Sequence, residues 1–403
     1  LGSGFSAGGI MSGDLQGRAV ITGIGQSQTG RRLGRTGFDL TIEACKKAIA
    51  DAGLSVEDID GVASYPGPGL GATGMSGAST TQLHAALGIK AKWYLGASEV
   101  AGQLGPLMEA CMAVSLGFAN HVVCFRSVWE STAQGSGGFG GSFRGPYRAS
   151  GFMEWTAPYG AISAANWIAM LCDAYMHRNG MTREQLAMIA LNARRNAGLN
   201  PAGIYRDPLT LDDYMSARII STPFCLYDCD IPADGAIAII VSRRDASKGL
   251  PRTPIKVEAF GGGLYERFTW DQRADLTTMA AHDAAASMWE NTKIKPTDVD
   301  VAELYDGFSY LTIQWIEALG FCPQGEVGKF IEGGQRISLE GQLPVNTHGG
   351  QLSAGRLHGY GFIHEACTQL WREGGERQAK NDVNIAVAAA GGGPIAGCVL
   401  LSI

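Results

Sequence analysis

The chain has 403 residues, enough for two ordinary domains or one large duplicated one. Hydrophobic residues make up 45% and charged residues 17%, which excludes global disorder and leaves material for a sizeable core. A net charge of −6 without a basic run argues against nucleic acid as a partner. Nine scattered cysteines with no CxxC pair argue against a disulfide framework or a bound metal, and for a reduced, cytoplasmic setting.

Residues 1–10 read as a cloning remnant before a natural start at Met11, because they lack the charged start and apolar core of a signal peptide. The pattern then predicts a strand over Ala19 to Ile24, a helix over Leu40 to Ala52, a strand over Gly61 to Ser64, a helix over Gln103 to Leu116 and a strand over His121 to Phe125. Trp129 to Leu199 carries a glycine- and serine-rich stretch, Gly135 to Gly145, and two amphipathic patterns, Ala164 to Arg178 and Thr182 to Ala197. A structureless loop of that length is unusual, so the region reads as a lid or loop domain. Further helical and strand patterns occupy Met279 to Glu290 and Val383 to Ala388. The uncharged tail from Ile385 to Ile403 is broken by Gly391-Gly392-Gly393-Pro394, so it reads as two buried strands round a turn and not as a membrane span.

Parts of the chain repeat. Asp58-Ile59-Asp60-Gly61-Val62-Ala63-Ser64-Tyr65 is echoed by Asp298-Val299-Asp300-Val301-Ala302-Glu303-Leu304-Tyr305 roughly 240 residues later. Met108-Glu109-Ala110-Cys111 is echoed by His364-Glu365-Ala366-Cys367 roughly 256 residues later. Shared order and near-constant spacing point to an internal duplication of alternating strands and helices, with the sheet buried on both faces.

The run Asn346-Thr347-His348-Gly349-Gly350-Gln351-Leu352-Ser353-Ala354-Gly355-Arg356-Leu357-His358-Gly359-Tyr360-Gly361 resembles the segment that carries the catalytic histidine of thiolases. Asp228-Cys229-Asp230-Ile231-Pro232-Ala233-Asp234-Gly235-Ala236 resembles a strand-entry motif of the same superfamily, and Asn200 to Thr210 resembles its sterol-carrier-protein branch. The resemblance spans essentially the whole chain. It implies a duplicated α/β fold of two βαβαβαββ halves in five αβαβα layers: 11–128 and 219–250 as the first half, 129–218 as an inserted loop domain, and 251–403 as the second half.

The thiolase chemistry does not carry over. The nucleophilic cysteine falls on Val100, the second cysteine on Ala389 and the histidine on Arg356. Without a thiolate there is no acyl-cysteine, so carbon–carbon chemistry must proceed on the CoA ester itself. The thiolase-like aldolases of steroid side-chain breakdown share this pattern, including a tyrosine at the motif Tyr305-Asp306-Gly307-Phe308. By resemblance, the acid–base candidates are Tyr305, His358 and His348; the family's second catalytic tyrosine falls on Arg356, and Tyr360, about one helical turn later, is the candidate second member of the pair with Tyr305. The backbone N–H groups of Val100 and Gly391 are expected to form an oxyanion hole, with Asp306 and Arg356 in support.

The implied activity is retro-aldol cleavage of a β-hydroxyacyl-CoA with a bulky, steroid-like side chain. The alternatives are a Claisen-type acyltransferase using Cys111 or Cys124, and a non-catalytic acyl-CoA-binding subunit. No resident cofactor is expected beyond the coenzyme A thioester of the substrate. The resemblance further implies a homodimer, with Val122 to Ser127 as its candidate contact. A separate zinc-ribbon and OB-fold partner protein is expected to complete a heterotetramer.

Overall fold

The computed structural model describes residues 17–66, 74–97, 100–135, 149, 151–271, 273–380 and 382–403. Among them, one continuous mixed sheet has nine strands: β1 (Ala19–Gln26), β2 (Gly61–Ser64), β3 (Trp93–Gly96), β4 (His121–Trp129), β5 (Asp234–Arg243), β6 (Ile255–Gly261), β7 (Val301–Glu303), β8 (Ile385–Gly391) and β9 (Ala396–Ser402). The helices of eight residues or more are α1 (Gly37–Asp51), α2 (Thr80–Leu87), α3 (Gly105–Ser115), α4 (Ala164–Asn179), α5 (Arg183–Gly198), α6 (Ala280–Trp289), α7 (Ser309–Ala318) and α8 (Gly359–Leu370).

Strand order shows the duplication directly. The sheet runs β3-β2-β4-β5-β1-β6-β9-β8-β7, and β1 meets β6 through Val20–Lys256 and Ile21–Ile255. Outward from that junction, each half makes two antiparallel pairings and then a parallel one. The place of β3 is taken in the second half by Val345, which bridges Ala302 in parallel. Thus β1, β2, β4 and β5 correspond to β6, β7, β8 and β9. β3, β6 and α7 were not anticipated in the sequence.

The layers follow from which helix faces are apolar. Helices α1 and α2 bury Leu40, Ala44, Ala48 and Leu83 against one face of the first half-sheet. Helices α3 and α8 form one cluster through Leu107, Met108, Ala110 and Val114 with Phe362, Ile363, Ala366 and Leu370. A helix that is apolar nearly all round belongs in the interior, and α3 (GPLMEACMAVS) is such a helix. Helices α6 and α7, with α4 from the insertion, cover the outer face of the second half. The result is five layers, αβαβα, with the N-terminal ends of α3 and α8 brought together at the centre.

Helix α5 does more than roof the site. Asn192 and Asn196 donate to the carbonyls of Val345 (2.8 and 3.2 Å), Asn196 also to that of Asn346 (3.1 Å), and Asn200 to that of His348 (2.9 Å). Four-residue spacing places Asn192 and Asn196 on one face of α5, and Asn200 follows just past its end, so the three amides clamp the glycine-rich run. The proposed lid, Gly135 to Gly145, lies outside the described residues from 136 onward.

One expectation is corrected. Val122 to Phe125 have no free edge for pairing with a second subunit, because they are bonded to β2 on one side and β5 on the other; Arg126 and Ser127 pair with β5. The open edge of the first half is β3, where Tyr94 is 66% exposed. Among the described residues, no helix is long and apolar enough to cross a membrane.

Candidate active site

The glycine-rich run interlocks with residues 303–306. Asn346 mimics a strand neighbour: its amide oxygen accepts from Leu304 N (2.7 Å) and its amide nitrogen donates to Leu304 O (2.8 Å). Thr347 donates from N and Oγ1 to Glu303 (3.1 and 2.7 Å), and His348 Nδ1 lies 3.1 Å from Glu303 Oε2. Asp306 accepts from Gln351 N (2.7 Å) and Leu352 N (3.3 Å), tying down the single π-helical turn Gly350–Ala354. Gly350 has φ +58°, and a β-carbon there would stand 1.9 Å from Asp306 Oδ2. Only glycine permits this closure. Burial pushes the Asp306 carboxyl up to about 7, although two N–H donors favour its charge. Asp306 therefore orients the loop.

This frame presents Tyr305. Its ring packs on Phe362 (centroids 5.9 Å) and folds back over Gly307, where a β-carbon would fall 2.7 Å from the ring. Gln103 Nε2, just before α3, donates to the phenol oxygen at 3.4 Å. Burial raises the phenol above its ordinary range, aided by the charge of Asp230 and opposed by Arg356 and the amides of Gln103 and Gln351.

Arg356 is an ion-pair partner on two sides. Its Nε donates to Glu130 Oε2 (2.9 Å), its second terminal nitrogen to Glu130 Oε1, and its first to both Asp230 oxygens (2.9 and 3.1 Å). Two carboxylates against one guanidinium leave this cluster acidic. Burial, with Glu130 close by, pushes the Asp230 carboxyl up to about 6 despite Arg356.

The two histidines are shifted in opposite directions. Burial, then the Arg126 cation, drives His358 well below its ordinary range. Arg126 donates to His358 Nδ1 (3.0 Å from Nε), so the neutral ring carries its proton on Nε2 and offers a donor there. His358 also holds φ at +59°, a costly conformation for a non-glycine residue that tends to mark functional sites. His348 is raised: burial opposes its charge, but the hydrogen bond to Glu303 and the charges of Glu303, Glu365 and Asp306 together outweigh it. Both rings line one enclosed cavity of about 30 Å³, with Gln351, Phe362 and His364. That space suits about one water molecule.

The remaining candidates are placed as follows. The loop carrying Val100 meets the end of β8: a β-carbon on Gly102 would fall 2.9 Å from Ala390 O, next to Gly391. Trp315 Nε1 donates to Gly391 O (2.9 Å), fixing that turn. Tyr360 is 0% exposed in the core between α3 and α8, and its hydroxyl has no hydrogen-bond partner among the described residues. One turn beyond Arg356 the chain enters the central layer, and Tyr360 is not among the residues that line the cavity of His348 and His358. Among the described residues, no cluster of His, Cys, Asp and Glu could hold a metal ion.

Sequence reasoning did not single out Gln103, Arg126, Glu130, Asp230, Glu303 or Gln351. Asp230 and Gln351 stood inside motifs already recognised. Arg126 and Glu130 carried a weaker signal, two charges in or beside a strand otherwise buried on both faces.

The layers, the paired N-termini of the central helices and the missing nucleophile define a thiolase fold with altered chemistry. A family profile described as "Thiolase C-terminal domain-like" matches residues 262–401. The chain is 33% identical over 396 residues to a steroid side-chain-cleaving aldolase of Thermomonospora curvata, covering 96% of this chain and 98% of that one. It is 31% identical to the 17-hydroxy-3-oxo-4-pregnene-20-carboxyl-CoA lyase of Mycobacterium tuberculosis, covering 96% of this chain and all of that protein (100%). The solved structure of the Ltp2-ChsH2(DUF35) aldolase superimposes with a TM-score of 0.84 at 30% identity, over 96% of this chain and 98% of that one. Human mitochondrial 3-ketoacyl-CoA thiolase, at 16% identity and a TM-score of 0.66, shares the fold over 96% of this chain and 99% of its own. The chain belongs to the thiolase superfamily and, within it, to the family of these side-chain-cleaving aldolases.

Proposed function

We propose that this protein catalyses retro-aldol cleavage of a β-hydroxyacyl-CoA with a bulky polycyclic side chain. The carrying observation is a thiolase frame kept intact around Tyr305 while the nucleophile's position is filled by Val100. In the proposed step the ionised Tyr305 oxygen takes the β-hydroxyl proton, and the carbon–carbon bond opens to give a ketone and the enolate of a shorter acyl-CoA. Backbone N–H groups of Val100 and Gly391, with His358 Nε2–H, supply donors of the kind that stabilise the enolate oxygen. The phenol then returns its proton to the enolate carbon, so protons and electrons balance.

Apolar surface near this turn suits a bulky acyl group. A β-carbon on Gly393 would fall 2.1 Å from Trp270, whose ring centroid lies 6.1 Å from that of Trp167. In the same two segments Trp155 (71%), Tyr159 (88%), Leu264 (59%) and Phe268 (59%) are exposed.

The test is incubation with the CoA thioester of a tertiary β-hydroxy acid bearing a polycyclic group. Ketone and short acyl-CoA in equal amounts are expected, and neither, with the partner present, sinks the reading. Trp270→Ala should raise KM about tenfold for that substrate and little for a short-chain analogue.

The acyltransferase alternative is weakened by the cysteines. All nine are free; eight are buried, and burial pushes the half-buried Cys229 thiol up to about 12. Cys111 and Cys124 are driven up by burial as well, so no activated nucleophile supports it. The non-catalytic reading predicts turnover indifferent to Tyr305.

For assembly, the open edge of β3 supports a homodimer. The name of the Ltp2-ChsH2(DUF35) aldolase supports a separate DUF35-type partner, for which a zinc ribbon, an OB fold and a heterotetramer are the proposal. Light scattering of the purified chain, alone and with such a partner, distinguishes these states.

A further inference from the structure

Two glutamines, one from each half of the molecule, meet at the N-terminal end of α8. Gln351 Oε1 accepts from His358 N (3.1 Å), and Gln103 Oε1 accepts from Gly359 N (2.6 Å). These are consecutive N–H groups at a helix start, where unpartnered donors seek acceptors. The contacts settle which way each carboxamide points. An amide whose oxygen is engaged by an N–H must present its NH2 on the other side. For Gln103 that NH2 reaches Tyr305 Oη at 3.4 Å. Gln351 is 1% exposed, and its Nε2 has no hydrogen-bond partner among the described residues. It lies close enough to the phenol to favour the anion.

We propose that Gln103 and Gln351 form a two-donor cradle that holds the Tyr305 oxygen as an acceptor and prepares it to take the substrate's β-hydroxyl proton. The proposal rests on the aldolase reading above for its substrate, but not for its effect on the phenol. A buried phenol surrounded by carbon would keep its proton. Here Asp230 and burial push the same way, so the N–H donors, together with the charge of Arg356, are the means by which the site makes the anion accessible. Both glutamines are positioning residues. They act through Tyr305, and their carbonyl oxygens, capping α8, explain why each side chain has a single orientation. An acidic side chain at either position would keep the cap while replacing a donor with an oxygen that repels the phenolate.

The experiment uses the full chain carrying tyrosine labelled with carbon-13 at Cζ, with Tyr305→Phe identifying the resonance. Gln103→Glu and Gln351→Glu retain the acceptor for the helix end; Gln103→Met and Gln351→Met remove cap and donor together. In each Glu variant the Tyr305 titration should move to higher pH by about one unit or more. The acid limb of kcat/KM should move with it, lowering kcat/KM near neutral pH about tenfold. A folded Glu variant with the Tyr305 titration unmoved would overturn the cradle. So would full activity in the Glu variants alongside inactive Met variants, because then only the cap matters. If the parent protein cleaves no thioester, the aldolase reading fails while the resonance still decides the cradle.

Discussion

Replacing Tyr305 by phenylalanine separates chemistry from architecture. The ring stays on Phe362 and over Gly307, so the packing survives. The lost hydroxyl makes one hydrogen bond, to Gln103 at 3.4 Å, near the outer limit of such contacts. A typical net value is about 1 kcal/mol, and a contact this long falls below it, so unfolding by urea should shift by less than about 1 kcal/mol. Loss of a general acid–base group lowers turnover by roughly 10²- to 10⁴-fold, or about 2.7 to 5.4 kcal/mol of barrier. Coupled release of ketone and short acyl-CoA measures kcat, and equilibrium binding of the thioester should stay near the parent value. Tyr360→Phe is the control. Its hydroxyl is buried without a partner among the described residues, so removal should leave turnover within about twofold and the fold equal or firmer. Near-normal turnover in Tyr305→Phe, or loss confined to Tyr360→Phe, would refute the assignment.

Arg356→Met removes the cation shared by Glu130 and Asp230, and the two carboxylates then face each other in the interior. Breaking a buried pair in this way costs about 3–5 kcal/mol, measurable by chemical denaturation and reduced at low pH, where protonation relieves the repulsion. Asp306→Asn tests a titration. Burial pushes the folded carboxyl up to about 7 from its ordinary 3.8, so the folded state binds the extra proton between those limits. The parent should therefore lose stability as pH rises through that window. Asp306→Asn should gain relative to the parent over the same range, and parallel denaturation curves at three pH values would contradict this.

Several features were legible in the residues alone because they are local. Glycine and proline mark the turn between β8 and β9, continuous apolar runs mark strands buried on both faces, and the echoes of residues 58–65 and 108–111 exposed the duplication. By resemblance, Val100 stands where thiolases carry the nucleophilic cysteine, and that reading needed no coordinates. Tertiary structure decided what depends on distance through space. Gln103 and Gln351 are far apart in the chain, and only the pairing of α3 with α8 brings both to the N-terminal end of α8, where Gln103 reaches the Tyr305 phenol. Arg356 read equally well as a free cation or an ion-pair member until Glu130 and Asp230 arrived from distant segments. Tyr360 stood one helical turn from Arg356 in the sequence, yet that turn carries it into the packed centre. Periodicity and motif record what each segment prefers; hydrogen-bond partners and buried charges are set by the few ångströms between segments that the sequence keeps hundreds of residues apart.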